Sequence, residues 1–145
     1  MKFATKTLIL SLVMVGGIAL AQSKAVDPDV NARQTLMQAN GGAMGLLGGM
    51  AKGEKEFDAA AAEAAKQTLI ANAADIAAKF TNNTADPENR AKPEVWTKWD
   101  DFVKDAEALG AAAAALDASS LDGVKAGLGG IGGACKDCHT EFKAS

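Results

Sequence analysis

The 145-residue chain is predicted to be all-α, an antiparallel up-down-up-down four-helix bundle. Three observations predict it. Alanine and glycine are abundant, tyrosine is absent and β-branched residues are sparse after Ala21, a composition that favours helix over strand. Four stretches carry apolar residues at steps of three and four. The connections between them are short enough to make antiparallel neighbours.

The first helix is expected over about residues 29 to 52, with Pro28 at its start, where a missing amide proton costs nothing. Its second half, residues 41–49, is rich in glycine and has two readings: a break into a loop, or a helix held by packing. Met37, Met44, Leu47, Met50 and Ala51 keep a helical spacing through it, which favours the helix. Gly53 supplies a stop.

The second helix starts at the N-cap Asp58 and runs to Phe80, with Leu69, Ile70, Ala73, Ile76, Ala77 and Phe80 facing inward. Residues 81–93, marked by Asn82, Asn83, Pro87 and Pro93, form the longest loop. The third helix begins near Glu94, carries Val95, Trp96, Trp99, Phe102, Val103, Ala106 and Leu109, and ends near Asp117. Its tryptophans read most simply as core. The fourth begins at Ser119 or Ser120 and places Leu121, Val124, Leu128, Ile131, Cys135, Cys138 and Phe142 on one face.

Ahead of the bundle, Lys2 and Lys6 precede an apolar run from Leu8 to Leu20 and a small-x-small site at Ala19, Leu20, Ala21. That layout is expected of a secretory signal peptide over residues 1–21, cleaved after Ala21; an uncleaved anchor is the competing reading. Residues 22–145 then form one domain with one core. Thirteen basic and 18 acidic side chains remain, a net charge of −5. An acidic chain of this kind is not expected to bind nucleic acid, and no stable membrane insertion is expected after cleavage.

The run Cys135, Lys136, Asp137, Cys138, His139 uses both cysteines and the only histidine. Two thiols about one helical turn apart can each add to a vinyl group of one porphyrin while the next imidazole lies under the iron, so the run reads as covalent attachment of one haem c. A redox disulfide would call for a βαβ setting, and a structural zinc site for four ligands where these residues supply at most three.

With these residues together, the chain resembles the class II c-type cytochromes, the cytochrome c-prime superfamily, whose haem motif lies near the C-terminus of a four-helix bundle. The likeness rests on Cys135, Cys138, His139, Phe142 and Lys143, and on Lys92, Pro93, Glu94, Val95 and Trp96. Arg33, Leu36, Met37 and Asn40, followed by Ala51 to Lys55, resemble the low-spin cytochrome c-556 branch.

The resemblance implies thioethers to Cys135 and Cys138 and a proximal axial ligand in His139. It places Arg33 near a haem propionate and Lys143 near the haem, with Trp96 and Phe80 in the pocket; a solvated surface charge is the competing reading for Lys143. Met37, four residues after Arg33, matches the methionine ligand of the low-spin branch, while in cytochrome c-prime an apolar residue there packs over an open site.

Ligation by Met37 implies a periplasmic electron carrier that meets redox partner proteins, and an open site implies a five-coordinate protein binding nitric oxide or another small gas. An enzyme is not expected, because the only histidine is already used and no distal acid-base residue can be named. Family members are often homodimers packed through their first two helices, which the small residues of 41–49 would permit.

Overall fold

In the computed structural model, residues 25–145 are described; the expected signal segment and its cleavage site lie outside them. Helix α1 spans Pro28–Ala51, α2 Ala59–Lys79, α3 Glu94–Thr97, α4 Trp99–Ala114 and α5 Leu121–Phe142. Helix α1 packs on α2, α2 on α4, α4 on α5, and α5 returns to α1. These four long helices form the bundle, and the seam between α1 and α5 is the sparsest of the four.

Helices α1, α2 and α5 begin where the chain offers a side-chain acceptor for orphan amides. Asp27 accepts from the amides of Asp29 and Val30 at 2.8 and 3.1 Å, Asp58 from Ala61 at 3.0 Å, and Ser120 from Gly123 at 3.0 Å. The glycine-rich half of α1 stays helical to Ala51. Leu47, Gly49 and Met50 are buried there, so packing offsets the poor intrinsic propensity. Gly53, at φ +75°, then takes the left-handed conformation that ends the helix.

The expected third helix is corrected in two respects. It breaks at Lys98 (φ −125°, ψ 49°) into the single turn α3 and the longer α4, and it stops at Ala114 rather than near Asp117. The apolar spacing runs through the break unchanged. What imposes it is tertiary: Trp96 donates its indole N–H to the Phe80 carbonyl at 2.7 Å, while Val95 is fully buried.

Phe102 joins the elements from the middle of the core. Its ring lies 5.0 Å from Phe80, 5.7 Å from Trp99 and 5.3 Å from Phe142, so α2, α4 and α5 share one aromatic cluster. Between α4 and α5 the chain turns tightly. A Cβ at Gly123 would lie 2.5 Å from the Asp117 carbonyl oxygen, and one at Gly127 2.5 Å from Leu116 Cδ1, so glycine is what lets α5 start this close to the turn.

The long loop 81–93 is fastened at both ends. Asp86 accepts from the amides of Val26 and Asp27, 2.9 and 2.8 Å away, and from Glu88 at 2.7 Å. At the other end Ala91 forms a bridge with Lys143, the Lys92 amide donates to the Phe142 carbonyl at 2.9 Å, and Lys92 Nζ donates to the Thr140 and Glu141 carbonyls. The loop thus ties the start of α1 to the end of α5.

Those backbone amides hold the Asp86 carboxyl below the usual carboxylate range. Its stabilisation is therefore present above the unfolded-state value and is lost as the pH falls through the lower folded value. Asp86→Ala is expected to lower the urea midpoint at neutral pH, and the gap from wild type should narrow as the pH falls below about 3.9. An unchanged midpoint at neutral pH would show that the clamp is not stabilising.

Candidate functional site

The expected attachment run lies whole within α5, so Cys135, Cys138 and His139 occupy successive positions of one helical turn. Both thiols are free and half-buried. Among the described residues no three His, Cys, Asp or Glu side chains are grouped to hold a metal ion, so the zinc reading finds no site.

Two cavities open along the α1–α5 seam. The upper, of about 180 Å³, is lined by Arg33, Met37, Phe80, Phe102, Phe142 and Lys143, with the loop residues 88–91 at its rim. The lower, of about 320 Å³, is lined by Asn40, Met44, Ile76, Asp105, Leu109 and Cys135 among others. Met37, Cys138 and His139 line both. The two cavities are therefore halves of one cleft, with Met37 on the α1 wall and the Cys-x-x-Cys-His turn on the α5 wall.

Burial pushes the Cys135 thiol up and, with Asp105, Cys135 and Glu141 adding negative charge, pushes Cys138 up to about 12. Both are protonated thiols at neutral pH, the opposite of the depressed values that mark reactive redox thiolates. Partial burial, then the charge of Lys143, lowers the pKa of His139 and favours the neutral imidazole with a free ring lone pair. Asp105 stands in the lower cavity with its carboxyl pushed up by burial and by Glu141, Asp137 and Asp101.

Arg33 is 4% exposed. Its Nε donates to the Lys79 carbonyl at 2.8 Å and a second nitrogen donates to the Asn82 carbonyl, so the guanidinium caps the C-terminal end of α2. It also lies 4.8 Å over the Phe80 ring and 5.6 Å over Trp96. Its remaining nitrogen, Nη1, is buried without a partner. Burial lowers the Arg33 pKa, yet a guanidinium stays charged at neutral pH.

This cleft fits a flat, largely apolar group with an anionic edge. Aromatic and aliphatic side chains make its walls, two thiols stand at its α5 side, and an unsatisfied cationic donor lies at its upper end. The structure brings Met37, Cys135, Cys138, His139, Arg33, Phe80 and Lys143 to the cleft. Trp96 is the exception: it lines neither cavity and stands behind Phe80 and Arg33.

Several lining residues were not singled out from the sequence as site residues. Phe102, Ile76 and Leu109 were legible only as inward positions of their helices, and Asp105, a polar residue between Phe102 and Ala106, carried no signal. The rim residues 88–91 reach the cleft through the loop's clamps, which no local pattern encodes.

Comparison with known proteins gives one answer. Cytochrome c-556 of Agrobacterium fabrum is 32% identical over 137 residues, covering 92% of this chain and 93% of that protein. The structure of oxidized cytochrome c556 from R. palustris superposes with a TM-score of 0.74 at 30% identity, covering 81% of this chain and 97% of that one. A nitric oxide complex of a mutant cytochrome c prime from Alcaligenes xylosoxidans superposes with a TM-score of 0.71 at 27% identity, over 81% of this chain and 94% of that one. The family model described as Cytochrome C' matches residues 29–143, and the chain belongs to that family.

Proposed function

We propose that the protein is a periplasmic electron carrier whose haem c is joined through thioethers to Cys135 and Cys138 and ligated by His139 and Met37. A c-type cytochrome carrying covalently attached haem c follows from family membership. The observation that carries the finer reading is that Met37 lines both halves of the cleft, as Cys138 and His139 do from the opposite wall.

When bound, the haem supplies a one-electron ferric–ferrous couple. The chain's own residues do the rest. Helix α5 holds Cys135 and Cys138 one turn apart on the cleft side, where both sulfurs would join the cofactor, and holds His139 neutral beside them. Phe80, Phe102 and Phe142 exclude water from the upper wall. Arg33, fixed by two carbonyls, keeps Nη1 for a carboxylate at the cofactor's edge. A thioether ligand would saturate the iron and favour outer-sphere transfer over ligand binding.

Binding of nitric oxide or another small gas is the second reading. It is favoured by the lower cavity, which extends past Met37 to Asn40, Gly41 and Met44 and leaves space beside the sulfur position. The relative from Alcaligenes xylosoxidans named above is a nitric oxide complex.

Export rests on the lysine-flanked apolar run and small-residue site of residues 1–21, which would leave 22–145 as the mature domain. Among the described residues no helix is long and apolar enough to cross a membrane. An outer groove between α1 and α2, lined by Ala39, Gly42, Leu46, Ala61, Ala64 and Thr68, is shallow and free of charge, which suits close packing of a second copy. Redox partner proteins would meet the exposed His139 end of the cleft.

In the purified holoprotein, sharp split bands on reduction with a sulfur-to-iron band when oxidised are expected, and Met37→Ala should convert this spectrum to high-spin with the haem still attached. A spectrum unchanged by the substitution would make Met37 a packing residue. Arg33→Leu should lower the reduction potential measured by spectroelectrochemistry, since a positive charge beside the cofactor favours the reduced state, while Arg33→Lys should shift it less. Equal shifts in the two variants would separate the potential from the charge.

A further inference from the structure

The α1 wall of the lower cavity carries one side chain that neither apolar packing nor axial ligation explains. Asn40 lies one turn beyond Met37, is only 6% exposed, and lines the lower cavity beside Gly41 and Met44. Across the α1–α2 interface its Oδ1 accepts a hydrogen bond from Asn72 Nδ2 at 2.9 Å, and the same Nδ2 lies 3.5 Å from the Leu36 carbonyl. The two acceptors fix the Asn72 amide with its NH2 toward α1. That in turn fixes the Asn40 amide, with oxygen engaged and nitrogen left over.

The Asn40 NH2 carries two donors, and no hydrogen bond joins it to any described residue. That nitrogen is not among the fully enclosed atoms that lack a partner, so its donors open onto the cavity, where a bound group can accept from them. The neighbouring walls at Met37, Met44, Ile76, Ala106 and Leu109 are apolar, and Asp105, the carboxylate that lines the same cavity, makes no hydrogen bond to it. At Gly41 an added Cβ would meet nothing within 4 Å, so the space beside Asn40 is open.

We propose that Asn40 is a ligand-discriminating residue, an oriented hydrogen-bond donor to a small ligand with an exposed lone pair, such as cyanide or nitric oxide, that enters the lower cavity on the α1 side. The inference rests on the reading that α1 faces the sixth coordination position. Asn72 is its positioning residue, acting through the Asn40 oxygen. A donor there favours ligands that hold negative charge at the outer atom and does little for carbon monoxide, which accepts hydrogen bonds weakly.

The test uses holoprotein with an open sixth site, which Met37→Ala supplies. Ferric protein is titrated with cyanide and ferrous protein with carbon monoxide, with and without Asn40→Leu. Cyanide affinity should fall about fivefold or more, as expected for one net hydrogen bond. Carbon monoxide affinity should stay within about twofold on the same scale, while the C–O stretch moves to higher wavenumber. Asn40→Gln, which keeps the donor, should retain part of the discrimination, and Asn72→Ala should lose it while leaving Asn40 in place.

Unchanged cyanide affinity, or an equal loss for both ligands, would overturn the assignment. Failure of the Met37 reading gives a different signature: the wild-type spectrum is already high-spin and the same comparison is made between wild type and Asn40→Leu. The inference about Asn40 is therefore decided whichever way Met37 behaves. Because Asn40→Gln changes only side-chain length, a loss in Asn40→Leu that comes from misfolding would be exposed by Gln retaining both the fold and the discrimination.

Discussion

A buried guanidinium organises this fold. Arg33 reaches from α1 to the carbonyls of Lys79 and Asn82 and lies over Phe80 and Trp96, so one side chain joins α1 to the end of α2, the long loop and α3. Taking a charge out of water is expensive, and two carbonyl acceptors with two ring faces offset part of that cost. Asp27 and Asp29 contribute only at a distance. Its remaining nitrogen is buried without a partner at the upper end of the cleft. On the proposed reading, an anionic cofactor edge at that nitrogen would link cofactor binding to bundle stability, because the same group holds α2 against α1.

The second constraint is geometric. For Cys135, Cys138 and His139 to act on one porphyrin, as proposed, they must lie within about one turn, and a continuous helix supplies that spacing without strain. The helix must also stand away from α1 by the thickness of a flat group, and here the sparse α1–α5 seam contrasts with the closer packing of the other three interfaces. Two features hold α5 at that distance. Gly123 and Gly127 seat its start against the preceding turn, and the Ala91–Lys143 bridge with Lys92 on the last-turn carbonyls holds its end.

The helices and the attachment turn were legible in the sequence because they rest on local patterns. Apolar steps of three and four, Pro28 at the first start, Asp58 as a cap, Ser119 or Ser120 at the last start, and the motif spacing are all read over fewer than about ten residues. The break at Lys98 was not, since the spacing of Val95, Trp99 and Phe102 runs through it and its cause is an indole bonded to a carbonyl sixteen residues earlier. Arg33 was placed near the cofactor by resemblance. Its commitment to α2 and the retreat of Trp96 behind it are long-range facts with no local signal.

The two walls of the cleft divide the work differently. On the proposed reading the α5 wall is constrained by covalent chemistry, so its residues would say which cofactor is held and little about what it does. The α1 wall is constrained only by helical register: Arg33, Met37, Asn40 and Met44 follow at steps of four, three and four, presenting a cation, a thioether, an amide and a second thioether along one stripe. Each can be exchanged without breaking the attachment turn. On the proposed reading, substitutions on α1 alone would move this chain between electron transfer and ligand binding, and the apolar setting of Met37 is interrupted by one oriented amide a turn away.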